Sequence, residues 1–413
     1  MLKIIPSKSY AHRAYICDFW LKGDGSFVIC DLESDDIKAT RGCLEVLRGC
    51  TRDSGCASAQ SQIPELDCGE SGSTLRFMLP LVGALGKSVR FITKGRLSKR
   101  PLGELEEELK KHGMVIGHPE EGVISASGKL CPGVFHLPGS VSSQYITGLL
   151  LALPYLDGDS SIDLTSKLQS AAYVDITIDV LREYGIEIVR NEDGYRIRGG
   201  QRSHRDEPYK VEGDWSQAAF WLAAGAIGKA PISIGGLNPD SVQGDRRMVD
   251  VLRSFGARIE TDRSSERCVV TSYPSELTGT TVDVSEIPDL APAIACAAAA
   301  ASGETRLTHA ERLKLKESDR IASVVRCLTD VGIKAEGTDS EIIVHGCGGD
   351  EPEGGTAETA GDHRIVMMAA ILSLITEGKV VITGSRSVSK SYPTFFEELE
   401  NAGLADNIVR NDI

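Results

Sequence analysis

Six stretches of the chain are apolar on nearly every side, and each opens on small, polar or glycine residues. They begin near Ser7, Gly72, Ser142, Asp214, Asp289 and Asp362, spaced 65 to 75 positions apart. A helix that is apolar all round is a buried one, so each predicts the centre of a packed unit. A second pattern travels with the first. Helical runs end at a glycine in Leu105–Gly113, Val180–Gly185, Val251–Gly256, Cys327–Gly332 and Leu399–Gly403, with the glycines 71 to 76 positions apart. Glycine just past the last periodic residue supplies the left-handed backbone that stops a helix. Leu44–Gly49 is a weaker first member. Short alternating stretches such as Val89–Thr93 and Ile342–Val344 predict strands, and Ile188–Ile197 predicts a hairpin turning on Asp193-Gly194.

Together these patterns predict six α/β units of roughly 70 residues, too long for solenoid repeats. Six central helices divide as three and three, which predicts two lobes with a cleft between them and a boundary near Gly213-Asp214. Helix N-termini facing that cleft would form an anion-binding volume from free N–H groups and positive dipole ends.

Composition narrows the partners. The 413 residues carry 45 Lys and Arg against 59 Asp and Glu, a formal charge of −14, which argues against nucleic acid or an anionic membrane. The apolar run Ala291–Ala301 is too short to span a bilayer, so a soluble cytoplasmic protein is expected. The 11 cysteines include no C-x-x-C pair. Cys43, Cys50, Cys56 and Cys68 match no common ligand spacing, and a structural disulfide set or zinc site is not indicated.

An acidic chain that binds an anion needs a local cluster of cations, and these fall at the helix starts. Lys8 and Arg13 lie in the first turns of the first central helix, Arg76 in the second and Arg364 in the sixth. Arg100 and Lys390 each precede an outer helix. A cation there opposes the dipole, and its recurrence points to bound anions. Lys314–Arg320 predicts the opening of a helix in which Lys316 and Arg320, four apart, share a face beside Glu317. The alternative is a solvated salt-bridged surface. Gly139–Gln144 sets hydroxyl donors before an apolar helix, suited to a phosphate or to simple N-capping. Ser170 is a similar donor. Asp289 reads either as an N-cap or as a base paired with Glu317. His363 reads as structural, with a catalytic imidazole as the alternative. Gly86-Lys87-Ser88 lacks the first glycine of a P-loop, and no G-x-G-x-x-G, H-E-x-x-H or G-x-S-x-G site occurs.

Assembled, these segments resemble the 5-enolpyruvylshikimate-3-phosphate synthases. The match runs from Ser7 to about Leu399. It passes through Ser7-Lys8-Ser9 with Arg13, Glu70–Arg76, Arg100-Pro101, Gly139–Gln144, Gln243–Asp245, Ile287–Asp289, Lys316–Arg320, Asp362–Arg364 and Lys390–Pro393, all in the family's order. The resemblance implies an α/β (α+β) fold, a two-lobed inside-out α/β barrel of six βαβαββ repeats, three per lobe. The lobes would be residues 7–213 on the shikimate 3-phosphate side, and 1–6 with 214–413, carrying much of the phosphoenolpyruvate side. It implies transfer of the enolpyruvyl group to the 5-hydroxyl of shikimate 3-phosphate by a cytoplasmic monomer, with no metal, organic cofactor, nucleic acid or membrane. Lys8, Ser9, Arg13, Ser142, Ser143, Gln144, Ser170, Asp289 and Lys316 would hold shikimate 3-phosphate. Lys8, Gly72, Arg100, Gln144, Arg320, Arg364 and Lys390 would hold phosphoenolpyruvate. Asp289 would act as base and Glu317 as acid, with Lys8 between the substrates.

Three positions depart from the family's usual residues: Glu70, Ser73 and Arg312. The alternatives are the sister transferase acting on UDP-N-acetylglucosamine, whose usual loop cysteine has no counterpart in Arg96–Arg100, and a non-catalytic anion-binding protein.

Overall fold

Val89–Thr93 buries every second side chain, the signature of a strand with one face on a core. It pairs in parallel with Glu65–Gly69 and antiparallel with Val123–Gly128, which in turn pairs with Met114–Glu120. Helix Gly72–Leu85 joins the parallel pair, and helix Gly103–Lys111 leads to the antiparallel one. The same arrangement recurs in the sheet of Val134–Pro138, Ser160–Ser166, Gly194–Ile197 and Val189–Asn191. It recurs again in Thr281–Asp283, Ser302–Thr308, Ile342–Cys347 and Ala335–Gly337. A further sheet keeps the order but takes its first strand from far away in sequence. Leu2–Lys3 lies parallel to Ile232–Leu237, with Leu2 opposite Ile234, and Cys268–Tyr273 and Arg258–Asp262 follow. A three-stranded parallel sheet (Gly355–Ala357, Val380–Thr383, Ile408–Asn411) and the short pair Val28–Ile29 with Tyr209–Lys210 complete the sheets among the described residues.

The computed structural model describes residues 1–21, 24–52, 63–100, 102–263 and 268–412. Cys56 and Pro101 fall outside them. The chain divides into two units, Lys8–Val211 and Met1–Ser7 with Glu212–Ile413. Among the described residues, no helix is long and apolar enough to cross a membrane.

The apolar stretches form helices Lys8–Trp20, Gly72–Leu85, Ser143–Leu150, Trp215–Ile227, Ala291–Ala300 and His363–Leu372. Each is buried over most of its length, as hydrophobicity on all faces requires. Gly113, Gly185, Gly256, Gly332 and Gly403 all adopt positive φ, between 69° and 98°, and stop the outer helices. Gly49 does not, because helix Asp35–Arg52 runs straight through it.

The hairpin after Ile188 also differs from expectation. Gly194 pairs with Asn191, so Glu192 and Asp193 make the turn. The glycine is required for another reason: a Cβ there would sit 1.9 Å from the Ile162 carbonyl oxygen of the neighbouring strand.

Where the chain leaves one unit for the other, Gln243 ties its ends. Its Oε1 accepts from Ser7 Oγ at 3.2 Å and from Trp215 N at 3.1 Å, and its Nε2 donates to the Gly213 carbonyl at 2.9 Å. A buried amide that uses both its ends in this way fixes the segments it joins.

Candidate active site

In the unit Met1–Ser7 with Glu212–Ile413, the segment from Lys314 departs from the predicted helix. Glu311–Leu315 is a turn of 3₁₀ helix, and the α-helix begins only at Arg320, running to Asp330. Asp319 fixes that start: its backbone is extended and its carboxylate accepts from Ala322 N at 3.2 Å, the geometry of an N-cap. Lys316 and Arg320 therefore do not meet as neighbours on a helix face. They meet on Asp289.

Asp289 Oδ1 lies 3.0 Å from Lys316 Nζ and accepts from Arg320 Nη1 at 2.7 Å, while Oδ2 lies 3.7 Å from Arg364 Nη2. Its backbone oxygen accepts from Arg364 Nη1 at 3.0 Å. The carboxylate does not cap the Ala-rich helix. The residue sits in a 3₁₀ turn, Pro288–Leu290, and the α-helix follows from Ala291.

Arg320 is the hub. Its side chain is 1% exposed. Besides the bond to Asp289, Nη2 donates to Glu317 Oε2 at 2.7 Å, and Nε and Nη2 donate to Asp362 at 2.9 and 3.3 Å. Burial opposes the charge, but Asp362, Glu317 and Asp289 outweigh it and hold the guanidinium's pKa above its ordinary value. Asp362 is fully buried, which alone would raise its pKa; the charges of Arg320 and His363 hold it below the usual carboxylate range instead. Lys316 is shifted down by burial, which Asp289 opposes and Arg320 reinforces. Asp245, beside Asp289, is pushed up to about 6 by burial and by the charge of Asp289, against Arg364. Lys390 Nζ donates to the Gly361 carbonyl at 3.0 Å, next to Asp362 in the chain. His363 is buried in the first turn of its helix.

In the unit Lys8–Val211, Arg13 joins three of the central and outer helices. Nε donates to Thr177 Oγ1 at 2.8 Å, Nη1 to the Ser9 carbonyl at 2.6 Å, and Nη2 to the Tyr173 carbonyl at 2.9 Å and Thr147 Oγ1 at 3.3 Å. Burial pushes its pKa down to about 10. Lys8 Nζ is 2.7 Å from Asp36 Oδ2. Ser142 caps helix Ser143–Leu150 by accepting from Gln144 N at 3.3 Å. Ser170, in left-handed backbone at φ 55°, opens helix Ala171–Glu183 and is buried.

Gln144 links this helix start to the next cluster. Its Oε1 accepts from Arg76 Nη1 at 2.9 Å and its Nε2 donates to Ser73 Oγ at 3.0 Å. Gly72 is where two guanidinium groups converge: a Cβ there would stand 2.5 Å from Arg76 Nη1 and 3.0 Å from Arg100 Nη1.

Within the unit Met1–Ser7 with Glu212–Ile413, Asp289, Lys316, Glu317, Arg320 and Arg364 meet in one cluster. In the unit Lys8–Val211, Gly72 and Arg100 lie close to the Arg76 that Gln144 holds, whereas Lys8 meets Asp36 and, in the other unit, Lys390 meets the Gly361 carbonyl. The sequence reading missed Asp362 and Asp36 as partners of cations, and Thr147 and Thr177 as partners of Arg13. Asp362 carried a signal, an acid opening an apolar helix. The threonines, inside helices, carried none.

Comparisons with known proteins bear on this arrangement. The family model for EPSP synthase (3-phosphoshikimate 1-carboxyvinyltransferase) matches residues 1–399. The 3-phosphoshikimate 1-carboxyvinyltransferase of Clostridium kluyveri is 38% identical over 412 residues, covering 97% of this chain and 94% of its own. That of Clostridioides difficile is 36% identical over 421 residues, with 97% and 94% covered. Among solved structures, EPSP synthase from Acinetobacter baumannii superposes with a TM-score of 0.74 at 25% identity, covering 98% of this chain and 96% of its own. The enolpyruvyl transferase NikO from Streptomyces tendae shares the fold, with a TM-score of 0.72 at 17% identity over 98% of this chain and 94% of its own.

Proposed function

The chain belongs to the EPSP synthase family, and from that premise we propose how its residues divide the work. The activity is enolpyruvyl transfer from phosphoenolpyruvate to the 5-hydroxyl of shikimate 3-phosphate, with release of phosphate, in the shikimate pathway. The arrangement shared by four of the sheets supports reading the fold as copies of one βαβαββ plan, three in each half of an inside-out barrel, with the two-stranded pair Val28–Ile29 with Tyr209–Lys210 and the three-stranded parallel sheet as reduced versions of it.

Lys8, Ser9, Arg13, Ser142, Ser143, Gln144 and Ser170 take shikimate 3-phosphate, joined by Asp289 and Lys316. Phosphoenolpyruvate is held by Gly72, Arg100, Gln144, Arg320, Arg364 and Lys390, with Lys8 reaching both substrates. Addition to an enol needs a proton on carbon while a hydroxyl attacks, hence an acid and a base. Glu317 protonates the methylene carbon as the hydroxyl oxygen bonds to the neighbouring carbon, and Asp289 receives the hydroxyl proton. In the second half Glu317 takes a proton back from the new methyl group, the carbon–oxygen bond to phosphate breaks, and the proton on Asp289 leaves with phosphate. Lys316, Arg320 and Arg364 are preorganised to stabilise the carboxylate and phosphate that share one carbon in the intermediate.

One observation carries this reading: Asp289 and Glu317 accept from the same guanidinium, Arg320, at 2.7 Å each. A protein that only binds anions has no use for two carboxylates competing for its central cation. The test is phosphate release from phosphoenolpyruvate. It is expected with shikimate 3-phosphate and absent with UDP-N-acetylglucosamine. The reverse preference, or release with neither, would refute the assignment.

A further inference from the structure

Arg320 has two unlike sides. Asp289 and Glu317, on Nη1 and Nη2, have side chains 17% and 31% exposed, whereas Asp362, on Nε and Nη2, is fully buried. Every acceptor site of Asp362 visible in the structure is occupied. Oδ2 takes Arg320 Nε at 2.9 Å and Ser318 Oγ at 3.0 Å; Oδ1 takes Arg320 Nη2 at 3.3 Å and Arg364 N at 3.0 Å. One carboxylate thus gathers the loop that carries Glu317, the central guanidinium, and the helix start that carries Arg364.

We propose that Asp362 is a positioning residue for the transfer. It anchors Arg320 from the sealed side, so that the open side of the guanidinium can be exchanged between Asp289, Glu317 and an incoming substrate oxyanion. This rests on the acid–base reading above. An exposed carboxylate can be displaced by a substrate anion at modest cost, but separating a buried, fully bonded ion pair leaves an uncompensated charge. The exchange therefore proceeds on the Asp289 and Glu317 side while Asp362 holds.

Lys316, Arg320 and Arg364 face Asp289, Glu317 and Asp362, with His363 and Asp245 beside them, and an arriving anion adds negative charge to this cluster. Added negative charge favours a proton on Glu317, the state in which it can act as acid. The charged groups that act most strongly on Asp362 are Arg320, His363 and Glu317.

Asp362→Asn tests this, because asparagine keeps the size and still caps a helix. Phosphate release is measured against both substrates across the pH range. The expected result is a kcat lower by about 100-fold and a raised KM for phosphoenolpyruvate, with the KM for shikimate 3-phosphate little changed. The basic limb of kcat should also move to lower pH, since Glu317 has lost a negative neighbour. Unchanged kcat overturns the proposal. So does a loss that is equal at every pH and in both KM values, which is what mere destabilisation would give. Should the variant not fold by thermal melting, Ser318→Ala removes one bond to Asp362. It is expected to lower kcat several-fold, and full activity there would also overturn the proposal. Failure of the acid–base reading is seen separately, as full turnover in Glu317→Gln.

Discussion

Lys316 Nζ and Asp289 Oδ1 lie 3.0 Å apart, and Arg320 Nη1 donates to the same oxygen at 2.7 Å. The atom expected to receive the substrate proton is therefore already held by two cations, which suits a base that must give its proton up again within one turnover. Asp289→Asn removes the base while keeping the shape. Its kcat is expected to fall by about 10²- to 10⁴-fold, read by steady-state phosphate release. Retained turnover would exclude Asp289 as the base.

Glu317→Gln separates binding from chemistry. Neutralising a carboxylate that competes for Arg320 should leave phosphoenolpyruvate binding in the presence of shikimate 3-phosphate at least as tight, measured by calorimetry. Turnover should fall by about 10²-fold or more. Weakened binding with normal turnover would be the opposite pattern and would assign Glu317 to substrate capture.

Gly72→Ala places a methyl group where the guanidinium ends of Arg76 and Arg100 converge. Both are tips of flexible side chains, so the fold survives and the cations move. The KM for phosphoenolpyruvate is expected to rise by about 10- to 100-fold, with that for shikimate 3-phosphate nearly constant. Equal change in both would show that Gly72 matters to the packing of its helix instead.

Asp245 is pushed up to about 6 by burial and by Asp289, with Asp214 adding to the rise and Arg364 opposing it. The folded chain then holds this proton more tightly than the unfolded chain does. The associated stability is complete below the ordinary carboxylate pKa and is lost as pH rises through about 6. Asp245→Asn should escape that loss. Its melting temperature relative to the native chain should rise between pH 5 and pH 8, by the equivalent of about 1 to 3 kcal/mol. A difference independent of pH would mean that Asp245 ionises normally.

What could be read from the sequence was local. The starts of the apolar helices and the glycine stops follow from periodicity and from left-handed backbone, properties of a few adjacent residues. The Lys314–Arg320 helix failed for an equally local reason, the cap at Asp319, which outcompeted the four-residue spacing. The cations were located at helix starts, but their partners were not. Arg320 meets Asp362 across 42 positions and Arg13 meets Thr177 across 164, and no periodicity reports on such pairs. Asp289 was ambiguous because a helix-leading aspartate can cap or react. Only its contacts with Lys316 and Arg320 decide against the cap.

The strand Leu2–Lys3 sets the order in which the polymer can be completed. Its partner is Ile232–Leu237, so during synthesis it must wait unpaired until the ribosome has made everything between. Lys8–Val211 is continuous and can condense while elongation proceeds. The unit that carries Asp289, Glu317 and Arg320 cannot complete its first sheet until Ile232–Leu237 has been made, and its remaining strands are made later still.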